Sequence, residues 1–107
     1  MRVLFDHGTP VPLRRALVGH QVETAYARGW SRLANGDSLN AAEAAGFTVM
    51  VTTDQNLRYQ QNSPSRRIAV VVLSTTSWPR IRLVSGAVAA AIERAALDVG
   101  FIEVTIP

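Results

Sequence analysis

Two runs of apolar residues constrain the fold of this chain more than any other feature. Residues 47–52 (FTVMVT) and 68–73 (IAVVVL) carry apolar side chains on both faces of an extended backbone. Strands of this kind are typical of a parallel sheet that helices cover on both sides. A third run, residues 2–5 (RVLF), stops at Asp6 and predicts another buried strand that ends in a turn.

The segments between these strands predict helices. Thr9 and Pro10 supply an N-cap followed by proline at the first helical position, and Gly19 ends that helix. Asp37 opens an alanine-rich helix, which Gly46 ends. Strands that alternate with helices predict an α/β three-layer sandwich.

The rest of the chain completes this pattern. Residues 81–97 predict a long helix, residues 20–25 and 101–106 predict two further strands, and residues 54–62 predict a short helix or loop. The sheet should therefore be mostly parallel, with about five strands. The predicted packing stripe of the long helix consists of Leu83, Ala87, Val88, Ala91 and Ala95.

Length and composition limit the classes of protein that fit. The 107 residues predict a single domain over residues 1–107. No apolar run approaches the roughly 20 residues that cross a bilayer, and a strand that starts at Arg2 leaves no room for a signal peptide, so we expect a cytoplasmic protein without membrane contact. Cysteine is absent, which excludes disulfides and thiolate metal sites.

The positive charge has an unusual composition. The formal net charge is +3, and all eleven basic residues are arginine. Arginine binds phosphate through two parallel hydrogen bonds, which suits a nucleic-acid partner. A genome that encodes arginine in preference to lysine would give the same composition, so both interpretations stay open.

Three aspartates are placed to meet at one edge of the predicted sheet. Asp6 follows the first strand, Asp37 begins the helix before the third strand, and Asp54 follows the third strand. In strand-helix-strand units the carboxyl ends of strands and the amino ends of helices share an edge, where open α/β folds bind ligands. Clustered carboxylates need a compensating cation, and Mg²⁺ or Mn²⁺ prefers such oxygen ligands.

Each acid also has a structural interpretation. Asp37 could be an ordinary N-cap, and Asp54 could form an Asx turn. Asp6 has less structural reason to be acidic, because Thr9 already caps the first helix. Glu43 is expected to be a solvated surface charge.

The residues around the acids resemble a known family. Asp37 and Asp54 lie in D-x-x-x-A-A-x-A-A-G-(x)5-T-T-D-x-N-L, which resembles the signature of PIN-like nuclease domains. The opening MRVLFDHGTPVPLRRAL resembles the short bacterial branch, the VapC-type toxin-like ribonucleases. The resemblance covers about residues 1–75. It implies a PIN-like fold and a metal-dependent endoribonuclease, with Asp6, Asp37 and Asp54 as catalytic residues and ligands of Mg²⁺ or Mn²⁺.

The resemblance also implies partners. They are single-stranded RNA or tRNA, a cognate antitoxin protein and a second copy of the chain in a homodimer. Accessory roles at the site are open to His7, Asn56, Ser74 and Thr75. The side chains that could bind RNA by charge and stacking are Arg28, Trp30, Arg32, Arg58, Tyr59, Arg66 and Arg67. Alternatively, the two aromatic residues cover the core and the arginines are solvated.

Two other functions compete with the nuclease. Asn56 occupies a position where many PIN-like domains carry a further acid, and no convincing match exists for a glutamate of the longer PIN domains. These departures favour a catalytically weak or inactive PIN-like scaffold that binds RNA or a protein. A phosphoryl-accepting receiver domain would need a lysine after its fifth strand, and the chain contains no lysine.

Overall fold

Five parallel strands form one sheet in a computed structural model that describes residues 1–57 and 66–107. The order across the sheet is β2-β1-β3-β4-β5, and each neighbouring pair is parallel. The predicted α/β sandwich with a parallel sheet of five strands is therefore confirmed. The strands are β1 (Arg2–Phe5), β2 (Gln21–Thr24), β3 (Val49–Thr52), β4 (Ala69–Leu73) and β5 (Phe101–Val104).

Helices cover both faces of the sheet. Helix α1 (Asn35–Ala44) lies on one face. The other face carries a 3-10 helix (Val11–Ala16) and three consecutive helical segments. Those segments are α2 (Trp78–Ile81), a 3-10 helix (Arg82–Val84) and α3 (Ser85–Asp98).

Alternation along the strands explains the two cores. Val3 and Phe5 of β1 pack with the α3 side, whereas Leu4 between them packs with the α1 side. Because both directions are covered, all four residues of β3 and all five residues of β4 are buried. This arrangement is why these strands need apolar residues at successive positions.

The first predicted helix is wrong in detail. The segment forms a 3-10 helix whose N-cap is Pro10, and Thr9 does not cap it. The Thr9 hydroxyl is buried and donates to the backbone oxygen of Val51 at 2.9 Å. Thr9 therefore fastens the loop after β1 to β3.

The start of α1 also differs from the prediction. The helix begins at Asn35, and Asp37 is its third residue instead of its cap. The backbone oxygen of Ala34 accepts hydrogen bonds from the N–H groups of Asp37 and Ser38, at 2.8 and 3.1 Å. Ala34 is thus the N-cap, and its side chain makes no capping hydrogen bond.

The predicted helix over residues 81–97 is interrupted, and its packing stripe is partly wrong. The 3-10 helix Arg82–Val84 changes the phase of the side chains, so Leu83 is 78% exposed and Ala87 is also exposed. The side chains that α3 buries are Val88, Ala89, Ala91, Ile92 and Ala95.

The bounds of the strands differ from the predicted ones by at most two residues at either end. The predicted segment 54–62 contains a turn at Gln55 and Asn56, and its residues 58–62 lie outside the described residues. Within residues 1–57 and 66–107, no helix is both long enough and apolar enough to cross a membrane.

Candidate active site

The strand order places the candidate site between β1 and β3. The chain passes from β1 to β2 on one side and then crosses to β3 on the other side of β1. A reversal of this kind opens a crevice at the carboxyl ends of the two central strands, where open α/β sheets bind ligands. Asp6 directly follows β1 and Asp54 follows β3 by two residues, so the crevice lies between two acids.

A cavity of about 430 Å³ occupies this crevice. Both Asp6 and Asp54 line it, so the structure brings these two predicted site residues together. Hydroxyl groups complete much of its polar lining. The other residues around the cavity are His7, Gly8, Ser31, Leu33, Thr53 and Thr76.

Thr52 connects the two acids. Its fully buried hydroxyl donates to Oδ2 of Asp6 at 2.9 Å and accepts from the backbone N–H of Asp54 at 3.1 Å. The backbone N–H of Asp6 donates to the oxygen of Val51 at 2.8 Å, which continues the β1–β3 ladder. The position of the Asp6 carboxylate is therefore fixed from both strands.

The environment of Asp6 disfavours its negative charge. Burial raises the pKa of this carboxyl above its ordinary value, and the nearby charge of Asp54 raises it further. Hydrogen bonds from the Thr52 hydroxyl and the His7 backbone lower the pKa and only partly offset the burial. A half-buried acid of this kind, in a cleft beside a second acid, is a functional-site candidate.

Asp54 has a structural role as well. Its Oδ1 accepts the backbone N–H of Asn56 at 2.9 Å, which confirms the alternative that Asp54 forms an Asx turn. The same bond restrains the orientation of the Asp54 carboxylate. A carboxylate has about four lone-pair positions, so one N–H bond leaves room for further ligands.

Asp37 is not brought to this cavity. It is exposed on the first turn of α1 and is not one of the cavity-lining residues. Over the part of the chain that the structure describes, no three acidic or histidine side chains form a group that could hold a metal ion. The side-chain donors around the crevice are two carboxylates, neighbouring hydroxyls and the imidazole of His7.

This donor set fits a hard divalent cation. Mg²⁺ commonly binds through one or two carboxylates, keeps several waters and completes its shell with substrate phosphate. Burial is the main cause of the raised pKa of Asp6, and a cation between Asp6 and Asp54 would offset the smaller contribution from the charge of Asp54. Asp6 and Asp54 are the residues that would hold it.

A second cavity, of about 260 Å³, lies on the other side of the Asp6 loop. It shares Asp6, His7 and Gly8 with the first cavity and extends to Thr24 and Tyr26 beside β2. Tyr26 is 83% exposed. Tyr26 was not among the residues predicted to bind RNA.

Gly8 holds the turn that separates the two cavities. Its φ is +88°, and a Cβ at this position would lie 2.7 Å from Oγ1 of Thr53. Gly19 has a φ of +87° but no atom within 4 Å of the corresponding Cβ, so it is a matched control. We expect Gly8→Ala to lower the free energy of unfolding by about 2–3 kcal/mol and Gly19→Ala by about 1 kcal/mol. Urea denaturation measures both, and equal effects would contradict a close approach of Gly8 to Thr53.

The predicted accessory residues divide into two groups. Ser74 accepts the backbone N–H of Ile106 at 2.8 Å, and Thr75 accepts that of Ser77 at 3.1 Å. These hydroxyls therefore stabilise the backbone after β4, and their neighbour Thr76 lines the cavity instead. His7 is exposed and lines both cavities, whereas Asn56 is exposed and lines neither.

The predicted RNA-binding aromatic Trp30 is partly buried and packs against the core on the α1 side of the sheet. Its ring lies edge-on to Phe47 at 6.2 Å, in the core beneath α1. The Arg28 guanidinium lies 4.9 Å from the Trp30 ring centroid and 3.4 Å from Glu23. The alternative that Trp30 covers the core is thus confirmed.

The remaining arginines differ in their surroundings. Nη1 of Arg66 donates to Asn40 at 2.6 Å and to Glu43 at 3.2 Å, and Glu43 also accepts the backbone N–H of Arg67. The expectation that Glu43 is only a solvated charge is therefore wrong, because Glu43 fixes the chain before β4 to α1. Arg32 is exposed. Arg58 and Tyr59 lie outside the described residues.

Known proteins do not identify the family of this chain. No protein-family model, curated protein or solved structure matches the chain. The resemblance to PIN-like domains therefore stays a prediction from the motifs around Asp6, Asp37 and Asp54.

Proposed function

We propose that this protein is a metal-dependent endoribonuclease of the PIN-like kind, which hydrolyses RNA phosphodiesters at the cavity between Asp6 and Asp54. One observation supports the proposal above all others. Two carboxylates from strands that are not consecutive in the chain line one cavity at the switch point of a parallel sheet. The repulsion between the two carboxylates is a second support: it adds to burial in raising the pKa of the Asp6 carboxyl, and a bound cation would offset it.

The chain's own residues orient the reaction. Thr52 holds one oxygen of Asp6, and the Asx turn holds one oxygen of Asp54, so neither carboxylate needs to reorganise when substrate binds. Mg²⁺ or Mn²⁺ held by Asp6 and Asp54 would supply a Lewis acid that neutralises charge developing on a phosphodiester and lowers the pKa of water. His7, at the mouth of both cavities, is placed to exchange a proton with the leaving group or with water.

Single-stranded RNA suits this site better than a duplex. Unpaired bases can stack on aromatic side chains, and a ring that is already packed cannot provide that surface. Tyr26 is exposed beside Asp6, whereas Trp30 packs against Phe47. In this proposal, Tyr26 takes the stacking role that the sequence suggested for Trp30.

Replacing Tyr26 tests this role. Stacking is worth about 1–3 kcal/mol per base, so we expect Tyr26→Ala to weaken binding of an eight-nucleotide RNA roughly 5- to 150-fold. Tyr26→Phe keeps the ring and should bind as wild type does. Fluorescence anisotropy in the presence of chelator measures binding without cleavage. Equal affinity of Tyr26→Ala and wild type would exclude Tyr26 as the stacking residue.

The resemblance extends the proposal beyond the reaction. It implies a toxin whose cytoplasmic activity is restrained by a cognate antitoxin, and a homodimer as the assembled form. An adjacent reading frame that encodes a small DNA-binding or helical protein would support the toxin assignment.

The scaffold function is favoured by one observation. Asp37 lies outside the cavity lining, so two of the three predicted acids meet there. Incubation with single-stranded RNA and with tRNA, in Mg²⁺, in Mn²⁺ and in chelator, separates the two functions. Metal-dependent cleavage supports the nuclease, whereas RNA binding without turnover in either metal supports the scaffold.

A further inference from the structure

An apolar groove of about 360 Å³ lies on the α3 side of the sheet, away from the β1–β3 crevice. One wall belongs to the 3-10 helix Val11–Ala16, and the other to α2 and the 3-10 helix Arg82–Val84. We call it the Leu83 groove. Its apolar lining consists of Pro12, Ala16, Trp78 and Leu83, with Arg15 and Arg82 beside them.

Leu83 is the residue that breaks the sequence pattern. Helical periodicity predicts it in the packing stripe, yet the 3-10 helix turns it outward and leaves it 78% exposed. One exposed leucine alone is ordinary. Here Leu83, the half-buried ring of Trp78 and Pro12 line one concave space. Protein-binding surfaces often contain such an apolar pocket, into which one side chain of the partner inserts. Departures of this kind from local rules are expected at functional positions.

The positive charge of the arginines beside the groove indicates the charge of its partner. Arg15 and Arg82 line the groove and are exposed. Arg80 behaves differently, because its Nε and Nη2 donate to the backbone oxygens of Pro107 and Ile106 at 2.9 and 3.2 Å. A partner therefore needs carboxylates around an apolar centre.

This chemistry disfavours two other occupants. A second copy of the chain in a two-fold arrangement would present the same arginines to each other, and like charges across an interface are costly. RNA phosphates could pair with the arginines, but proline, alanine and leucine neither bind phosphate nor stack on bases as aromatic rings do. An amphipathic peptide uses both the apolar floor and the basic rim.

We propose that the Leu83 groove binds an acidic, amphipathic segment of a partner protein. An apolar side chain of the segment lies against Leu83 and Trp78, and its carboxylates pair with Arg15 and Arg82. This inference does not depend on the nuclease. The same 3-10 helix separates the groove from the second cavity, because it contributes Val11 to that cavity and Pro12 to the groove.

A random library of twelve-residue peptides tests the proposal with the intact protein. We expect selection to enrich peptides that combine Asp or Glu with Leu, Phe or Trp. The selected peptide should bind at least tenfold more weakly to Leu83→Asn and to the double variant Arg15→Glu/Arg82→Glu, as measured by fluorescence anisotropy. Replacing the peptide's acids by lysine should restore binding to the double variant.

Matched controls lie on α3. Leu97 is 85% exposed and Arg94 is exposed, and neither lines the groove, so Leu97→Asn and Arg94→Glu should leave the peptide affinity within twofold. Thermal unfolding of each variant confirms that it is folded. Absence of enrichment, enrichment of basic peptides or binding that survives Leu83→Asn would overturn the proposal.

Two further measurements decide between classes of partner. Loss of binding to a twelve-nucleotide oligouridine in Arg15→Glu/Arg82→Glu, without any acidic peptide being selected, would make the groove a nucleic-acid surface. A wild-type dimer that Leu83→Asn converts to monomer in sedimentation would make it a self-interface. Either result overturns the proposed acidic peptide.

Discussion

Replacing Asp6 or Asp54 by asparagine is expected to lower metal-dependent cleavage of single-stranded RNA roughly 100- to 1,000-fold. Both carboxylates line the cavity, and a cation held there contributes several kcal/mol of transition-state stabilisation, at about 1.4 kcal/mol for each factor of ten in rate. Asparagine keeps the size of the side chain and removes its charge. Single-turnover cleavage of a labelled RNA measures the effect.

Two other aspartates provide controls for these variants. Asp98→Asn changes an exposed acid at the end of α3 and should cleave as wild type does. Asp37→Asn should lose less activity than either cavity variant, because Asp37 is outside the cavity lining. Cleavage that survives both Asp6→Asn and Asp54→Asn, or that continues in chelator, would rule out the proposed nuclease site.

Asp6→Asn is also expected to raise the free energy of unfolding at neutral pH when metal is removed. Burial, with the charge of Asp54, raises the pKa of Asp6 in the folded state, so the folded chain holds this proton more tightly than the unfolded chain. The stabilisation from the protonated carboxyl is fully present below about pH 4, the ordinary pKa of aspartate, and is lost as pH rises through the raised folded value. Asparagine stays neutral and can still accept the Thr52 hydroxyl bond.

The stability gap between the two proteins should therefore close as the pH falls towards 4. Bound metal should instead stabilise wild type more than Asp6→Asn. A cation at one hundred times its dissociation constant adds about 2.7 kcal/mol to wild type and should add little to Asp6→Asn. Urea denaturation from pH 4 to 8, with chelator or Mn²⁺, measures both effects. Equal stabilisation of the two proteins by Mn²⁺ would place the cation away from Asp6.

The layers of the fold could be predicted from the sequence because the strands that form its centre are buried on both sides. Residues 47–52 and 68–73 carry apolar side chains on both faces, which is typical of a sheet that helices cover on both sides. The positions of Asp6 and Asp54 were predictable for a related reason. Each follows a strand closely, so parallel pairing alone brings both to one edge.

Features that depend on a particular neighbour could not be predicted. Thr52 reaches Asp6 only because β3 lies beside β1, and the spacing of apolar residues does not reveal strand order. The pattern T-T-D contained the signal, since a hydroxyl at the end of a strand can hydrogen-bond a carboxylate at the end of its neighbour. Asp37 was predicted to open α1, but the backbone of Ala34 caps the helix without a side-chain cap to mark its start.

The outward turn at Leu83 was equally hidden. Its spacing from Ala87 is helical, and the sequence carries no glycine or proline between them except Gly86, which lies inside α3. The change to 3-10 geometry at Arg82–Val84 reverses the expected burial. A periodic pattern cannot show such a local change of phase.

Titration of the metal-free protein with Mn²⁺, followed by electron paramagnetic resonance, tests the central claim that Asp6 and Asp54 form one cation site. Wild type should bind Mn²⁺, and Asp6→Asn and Asp54→Asn should each weaken binding at least roughly tenfold, while Asp37→Asn stays close to wild type. If wild type binds no Mn²⁺, or if both cavity variants bind it as tightly as wild type does, the two aspartates do not form the proposed site.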